Sequence, residues 1–168
     1  MRLRLLAAAG LLLLGLGLGC REAAGPPALD MVDLFTFRQT GKVALTGIEG
    51  LEHDEAGSWR WLLGPGSVVR FRADRARPYT LRFGLMNPLP GQVVTVSANG
   101  RKLAAYGPLP AVKWLTPSVA AALTFEAVAG ENELRFDFGD WNGRAVVHMP
   151  TDTRPLAAVF LEFLLYAR

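Results

Sequence analysis

Downstream of residue 30 the chain runs in short apolar-polar alternations, broken every few residues by Gly, Pro, Asn or Asp. ELRFDF (Glu133–Phe138) is the cleanest case. Leu134, Phe136 and Phe138 fall on one face, and Glu133, Arg135 and Asp137 on the other, the period-two signature of a half-buried strand. MVDLFTF (Met31–Phe37) alternates in part, and SVVRFRA (Ser67–Ala73) and YTLRFGLM (Tyr79–Met86) are rich in β-branched and aromatic residues. QVVTVSANGRKLAAY places Asn99-Gly100 between two extended runs, the strongest hairpin signal in the chain. A second Asn-Gly turn lies at Asn142-Gly143, and NPLPG (Asn87–Gly91) reads as a loop. SVAAAL (Ser118–Leu123) has the composition of one helical turn. The closing run PLAAVFLEFLLYA is nearly continuous apolar, and periodicity alone leaves it open between buried strand and helix. Closely spaced strands and turns predict an all-β fold over 31–168, an antiparallel β-sandwich of jelly-roll type.

The first thirty residues follow different rules. Arg2 and Arg4 precede an apolar, glycine-rich run that ends at Gly19-Cys20, the only cysteine among 168 residues. This resembles a bacterial lipoprotein signal peptide over 1–19, with a small residue before the cysteine. The resemblance implies that Cys20 is acylated and becomes the new N-terminus, with multiple acyl chains giving a stable membrane anchor. Residues 20–30, containing Gly25, Pro26 and Pro27, then form a tether. Arg21 after the cysteine favours the outer membrane in a Gram-negative envelope. The formal net charge of +3 falls to +1 once Arg2 and Arg4 are removed, so no basic patch argues for nucleic acid. With Cys20 lipidated no disulfide is available, and stability has to come from burial.

Within the sandwich region, GIEGLE at Gly47–Glu52, WRW at Trp59–Trp61 and GPG at Gly64–Gly66 occur in order. VTVSANGR at Val94–Arg101, GENELRF at Gly130–Phe136 and RPL at Arg154–Leu156 follow. This succession resembles β-sandwich domains of bacterial cell-envelope proteins associated with glycosyltransferases and polysaccharide export, which are similar in shape to carbohydrate-binding modules. The resemblance implies a strand for the closing run, a glycan as partner and no catalytic residues. The near-neutral charge and high apolar content permit a scaffolding lipoprotein that binds another envelope protein, and a carboxylate-dependent glycan-active enzyme using Glu52 or Asp140 is the least favoured alternative.

The chemistry-bearing residues agree with a non-catalytic reading. No serine lies in a G-x-S-x-G elbow. His53 and His148 are far apart and form no H-E-x-x-H pair. No cofactor is expected; a structural calcium would find its hard oxygen donors at Glu49, Glu52, Asp54 and Glu55. DFGDWNG does not fit an EF-hand loop, because aligning Gly143 with the invariant glycine puts Phe138 and Met149 at ligand positions. In an extended WRW segment, Trp59 and Trp61 share a face and Arg60 takes the other, where an ion pair with Glu52 is the expected structural role. Indole faces stack on pyranose C–H groups while polar side chains bond the hydroxyls. The ligand-binding candidates are therefore Trp59, Trp61, Trp114 and Trp141, with Asp140, Asn142 and Arg144. The opposing reading of the same tryptophans is core packing.

Overall fold

The computed structural model describes residues 28–36, 38–145 and 147–168. Cys20, the expected signal peptide and most of the expected tether lie outside the described residues. Among those described there are twelve strands and no helix. In chain order they are β1 (Met31–Asp33), β2 (Gln39–Thr40), β3 (Val43–Thr46), β4 (Glu52–Asp54), β5 (Gly57–Leu63) and β6 (Gly66–Ala73). They continue as β7 (Arg77–Met86), β8 (Gln92–Ala98), β9 (Arg101–Leu109), β10 (Val119–Ala127), β11 (Gly130–Phe138) and β12 (Leu156–Ala167).

Two antiparallel sheets pack face to face. The first has β12 at its centre. On one side lie β7 and then β10; on the other, β5 pairs with the start of β12 and β1 with its end, with β4 and β2 outside them. The second sheet runs β3-β6-β11-β8-β9. The fold is thus the antiparallel β-sandwich that the alternation predicts.

The closing run is strand β12. Its apolar continuity follows from its central place: β7 and β5 flank it, and both faces are covered near its start. The helical turn expected at Ser118–Leu123 is absent; this segment opens β10. Pairing with β7 from Val119↔Leu85 to Ala127↔Arg77 overrides the weak helical preference of its alanines. Asn99 and Gly100 make the expected hairpin between β8 and β9, with positive φ of 49° and 76°. Asn-Gly suits a turn that needs two left-handed residues.

Between the sheets, Phe83, Phe136, Phe160 and Phe163 meet edge to face at centroid separations of 5.3, 5.0 and 5.2 Å. Phe71, Tyr79 and Phe125 form a second aromatic group at one end of the core. Each such side chain, fully buried, contributes roughly 1.5–3 kcal/mol. Such burial is the source of stability in a domain without disulfides.

Candidate functional site

Strand pleating decides which way the tryptophans point. In β5, Leu62 enters the core between the sheets, while Trp59 and Trp61 project from the opposite, outer face of the first sheet. Trp61 lies opposite Val159 of β12, which lies opposite Met86 of β7. This row, with Trp59 and Leu156, forms a second hydrophobic cluster outside the main core.

The β9–β10 loop closes over that cluster. Val112 N–H donates to Asn87 O (3.1 Å), Leu115 N–H to Met86 Sδ (3.1 Å) and Ser118 N–H to Leu85 O (2.7 Å). Asn87, fully buried, donates through Nδ2 to the carbonyls of Leu89, Leu109 and Pro110 and fixes the start of the loop. The loop sets Trp114 edge-on to Trp59 at 4.9 Å and tilted against Trp61 at 5.8 Å. Trp59 and Trp61 are 8% and 3% exposed, whereas Trp114 is 43% exposed. The three indoles therefore form one cluster with a single open ring. On the same face of the sheet Gly84 and Ala120 pair across β7 and β10, Gly84 buried close to Leu161 and Glu162, and Arg82 and Glu162 form an ion pair at 2.6 Å.

A charged group borders the same cluster. Trp59 Nε1–H donates to Glu52 Oε2 (3.2 Å). Arg154 reaches Glu52 Oε1 at 3.3 Å, Glu49 Oε2 at 3.5 Å and Asp152 Oδ2 at 2.7 Å. The pairing expected between Arg60 and Glu52 is not what forms. Glu52 is the cross-strand neighbour of Trp59 and shares its face, so Arg60, one residue on, points the other way. Arg60 is buried and donates to Leu34 O (2.8 Å) and Glu49 O (2.9 Å). Burial lowers its pKa. The four acidic residues considered for calcium are not gathered. Glu49 and Glu52 turn to Arg154, Asp54 accepts the Ala56 and Gly57 amides, and Glu55 is exposed. Among the described residues no group of three or more His, Cys, Asp or Glu is placed to hold a metal.

Hydrogen bonding to Arg154 holds the Asp152 carboxyl below its ordinary value near 3.8, and Asp152 raises Arg154 in turn. A lowered carboxyl stabilises the fold above its unfolded pKa, and that contribution is lost as pH falls through the folded value. Thermal midpoints from pH 6 to pH 2 should therefore fall below about pH 4, and Asp152→Asn should flatten part of that fall. An unchanged acid slope in Asp152→Asn would show that the pair carries no linkage.

The remaining candidates occupy a separate place, the β11–β12 loop. Among the described residues no ring contact joins Trp141 to the other three tryptophans. One part of Trp141 lies against Gly64, where an added Cβ would come within 2.6 Å of its Cγ and Cδ2. The Arg144 guanidinium carbon stands 4.5 Å from its ring centroid, and Arg144 also bonds the Gly139 carbonyl. Asp140 Oδ1 accepts the amides of Trp141 (2.9 Å) and Ala145 (3.2 Å). Asn142 is buried, and both ends of its amide serve the loop. The expected seven-residue binding set is thus split. Trp59, Trp61 and Trp114 come together; Asp140, Trp141, Asn142 and Arg144 brace a loop. His53 and His148 are both exposed.

Sequence reasoning did not find Arg154, Asn87 or Gln92. Gln92 is fully buried and ties β8 to the later chain, donating to Asp140 O (2.7 Å) and Ala157 O (3.1 Å). The R-P-L motif and the Asn87 loop signal mark where two of these residues lie, without indicating their partners. Two open grooves elsewhere hold about 260 and 290 Å³. They are lined by Arg101, Leu103 and Phe125, and by Lys42, Arg70 and Arg72, among others; neither contains a tryptophan.

No family model and no curated protein matches this sequence. Among solved structures, a family 35 carbohydrate binding module from Clostridium thermocellum is similar at 14% identity. That comparison covers 75% of this chain and 92% of that one, with a TM-score of 0.45. A β-1,3-glucan binding CBM6 from Bacillus halodurans is similar at 11% identity, covering 83% of this chain and 95% of that one, with a TM-score of 0.40. The C-terminal CBM6 of LamC from Zobellia galactanivorans is similar at 9% identity, covering 73% and 90%, with a TM-score of 0.41.

Proposed function

We propose that this chain is a non-catalytic glycan-binding domain, anchored in the cell envelope through Cys20 and serving an envelope polysaccharide system. The observation that carries the binding reading is Trp114, an exposed indole held in place by two buried indoles. An aromatic face fixed before binding loses little side-chain entropy when a sugar ring stacks on it. Glu52 and Arg154, at the edge of Trp59, supply acceptors and donors for hydroxyl groups.

Titration of envelope polysaccharides and their oligosaccharides should give saturable heat and a change in tryptophan emission. Trp114→Ala should weaken the affinity at least about tenfold, or roughly 1.4 kcal/mol, with the thermal midpoint nearly unchanged. A flat response across neutral and acidic glycans, or a Trp114→Ala affinity equal to that of the parent, overturns the reading. Globomycin-sensitive processing at Cys20, abolished by Cys20→Ala, tests the anchor separately.

A further inference from the structure

The edges of the two sheets are treated unequally. On the second sheet, β3 has four residues; β9 carries Arg101, Lys102 and Pro108, and its pairing with β8 is broken by two irregularities. On the first sheet, β2 and β4 have two and three residues. Short length, charge, proline and bulges all discourage pairing with another chain. The nine-residue β10, VAAALTFEA, has none of these devices. Its register with β7 is unbroken, it has no proline, and Glu126 is its only charge. Among the described residues it pairs with β7 alone.

Its free backbone groups can be assigned. Arg168 N–H donates to Pro78 O, so even-numbered residues of β7 turn their backbone groups to β12 and odd-numbered ones to β10. Ser118 N–H donating to Leu85 O agrees. Val119, Ala121, Leu123, Phe125 and Ala127 therefore bond to β7. Ala120, Ala122, Thr124 and Glu126 direct their N–H and C=O groups away from the sheet.

We infer that this edge pairs with β10 of a second copy of the same chain, antiparallel about a two-fold axis at Leu123. This register uses the whole strand. It sets Ala122 opposite Thr124 and Ala120 opposite Glu126 of the other copy, and every outward N–H and C=O meets a partner. Core-side positions then match small to large, Ala121 against Phe125 and Val119 against Ala127. The charge pattern fits self-pairing as well: the two Glu126 carboxylates sit at opposite ends, each against an alanine, so no like charges face each other.

The test uses the full chain in detergent with Cys20→Ala and Leu123→Cys, which leaves one thiol at the two-fold axis. Facing residues of a non-hydrogen-bonded antiparallel pair have Cα atoms about 4.5 Å apart, within disulfide reach. Mild oxidation should give a covalent dimer. Adding Ala122→Pro removes an outward N–H while sparing the β7 ladder, and should cut the crosslinked fraction at least about fivefold. Ala120→Glu, which faces Glu126 of the other copy, should lower it, and Ala120→Lys should raise it. Circular dichroism reports the fold of each variant, and the charge pair decides if Ala122→Pro fails to fold. The inference is overturned if no Leu123→Cys dimer forms, as when another segment or partner occupies the edge. It is also overturned if the yield ignores the charge pair.

Discussion

Trp61→Ala should lower the stability of the domain by about 3–5 kcal/mol, the range for removing a buried aromatic side chain. Trp61 is 3% exposed and sits in the row Trp61–Val159–Met86 across three strands of the first sheet. Its loss opens a cavity that the rigid sheet cannot collapse to fill. Trp114 also loses the ring against which it tilts. The effect should therefore extend to function, with glycan affinity falling although Trp61 offers a ligand little surface. Urea unfolding measures the first effect, and calorimetric titration of the folded fraction measures the second. Trp114→Ala provides the contrast, with binding lost and stability nearly kept. A Trp61→Ala loss below about 1 kcal/mol would mean that the outer cluster is not packed as described, since surface substitutions cost only about 0.5 kcal/mol.

How far this site could be read from the sequence depends on the range of the interactions that build it. The common face of Trp59 and Trp61 follows from pleating alone and was legible. Which layer that face meets depends on Val159 and Met86, set by long-range pairing that no local pattern encodes. Arg154 is 102 positions from Glu52, so a short-range guess gave Glu52 to Arg60 instead. The acidic cluster looked like a cation site because its counter-charge arrives from a distant loop.

The fold was more legible than the site for the same reason. Alternation in β11 and the Asn99-Gly100 turn are local signals, and both survive unchanged in the sandwich. SVAAAL misled because its alanines favour a helix locally, and the long-range pairing with β7 overrides that preference. The final run was ambiguous because a central strand covered on both faces loses its alternation. Trp141 stands in a polar turn where a buried side chain is not expected, and Asp140, Asn142 and Arg144 supply hydroxyl-bonding groups beside it; in the structure Trp141 is half-buried and Asn142 bonds the loop backbone. The turn is polar because its polar groups bond one another.

Asn142 puts that last point to the test. Its Nδ2 donates to Asp152 O at 2.7 Å and to Met149 O and Arg154 O at 3.3 Å, while Oδ1 accepts the amides of His148 (2.8 Å) and Met149 (3.0 Å). One buried side chain thus closes the loop that carries Asp152 and Arg154 to the acidic residues beside Trp59. Asn142→Ala should destabilise the domain by about 2–3 kcal/mol, the cost of leaving such buried groups unpaired. Asn142→Asp should not rescue it at neutral pH. A carboxylate still accepts the two amides but cannot donate to the three carbonyls, which repel its charge and raise its pKa in the folded state. The Asn142→Asp chain should therefore regain stability relative to Asn142→Ala as pH falls through that raised pKa, where the protonated carboxyl can donate again. Were Asn142 a ligand contact instead, both substitutions would weaken glycan binding with the urea midpoint unmoved. Unfolding and titration on the same samples separate a brace from a contact.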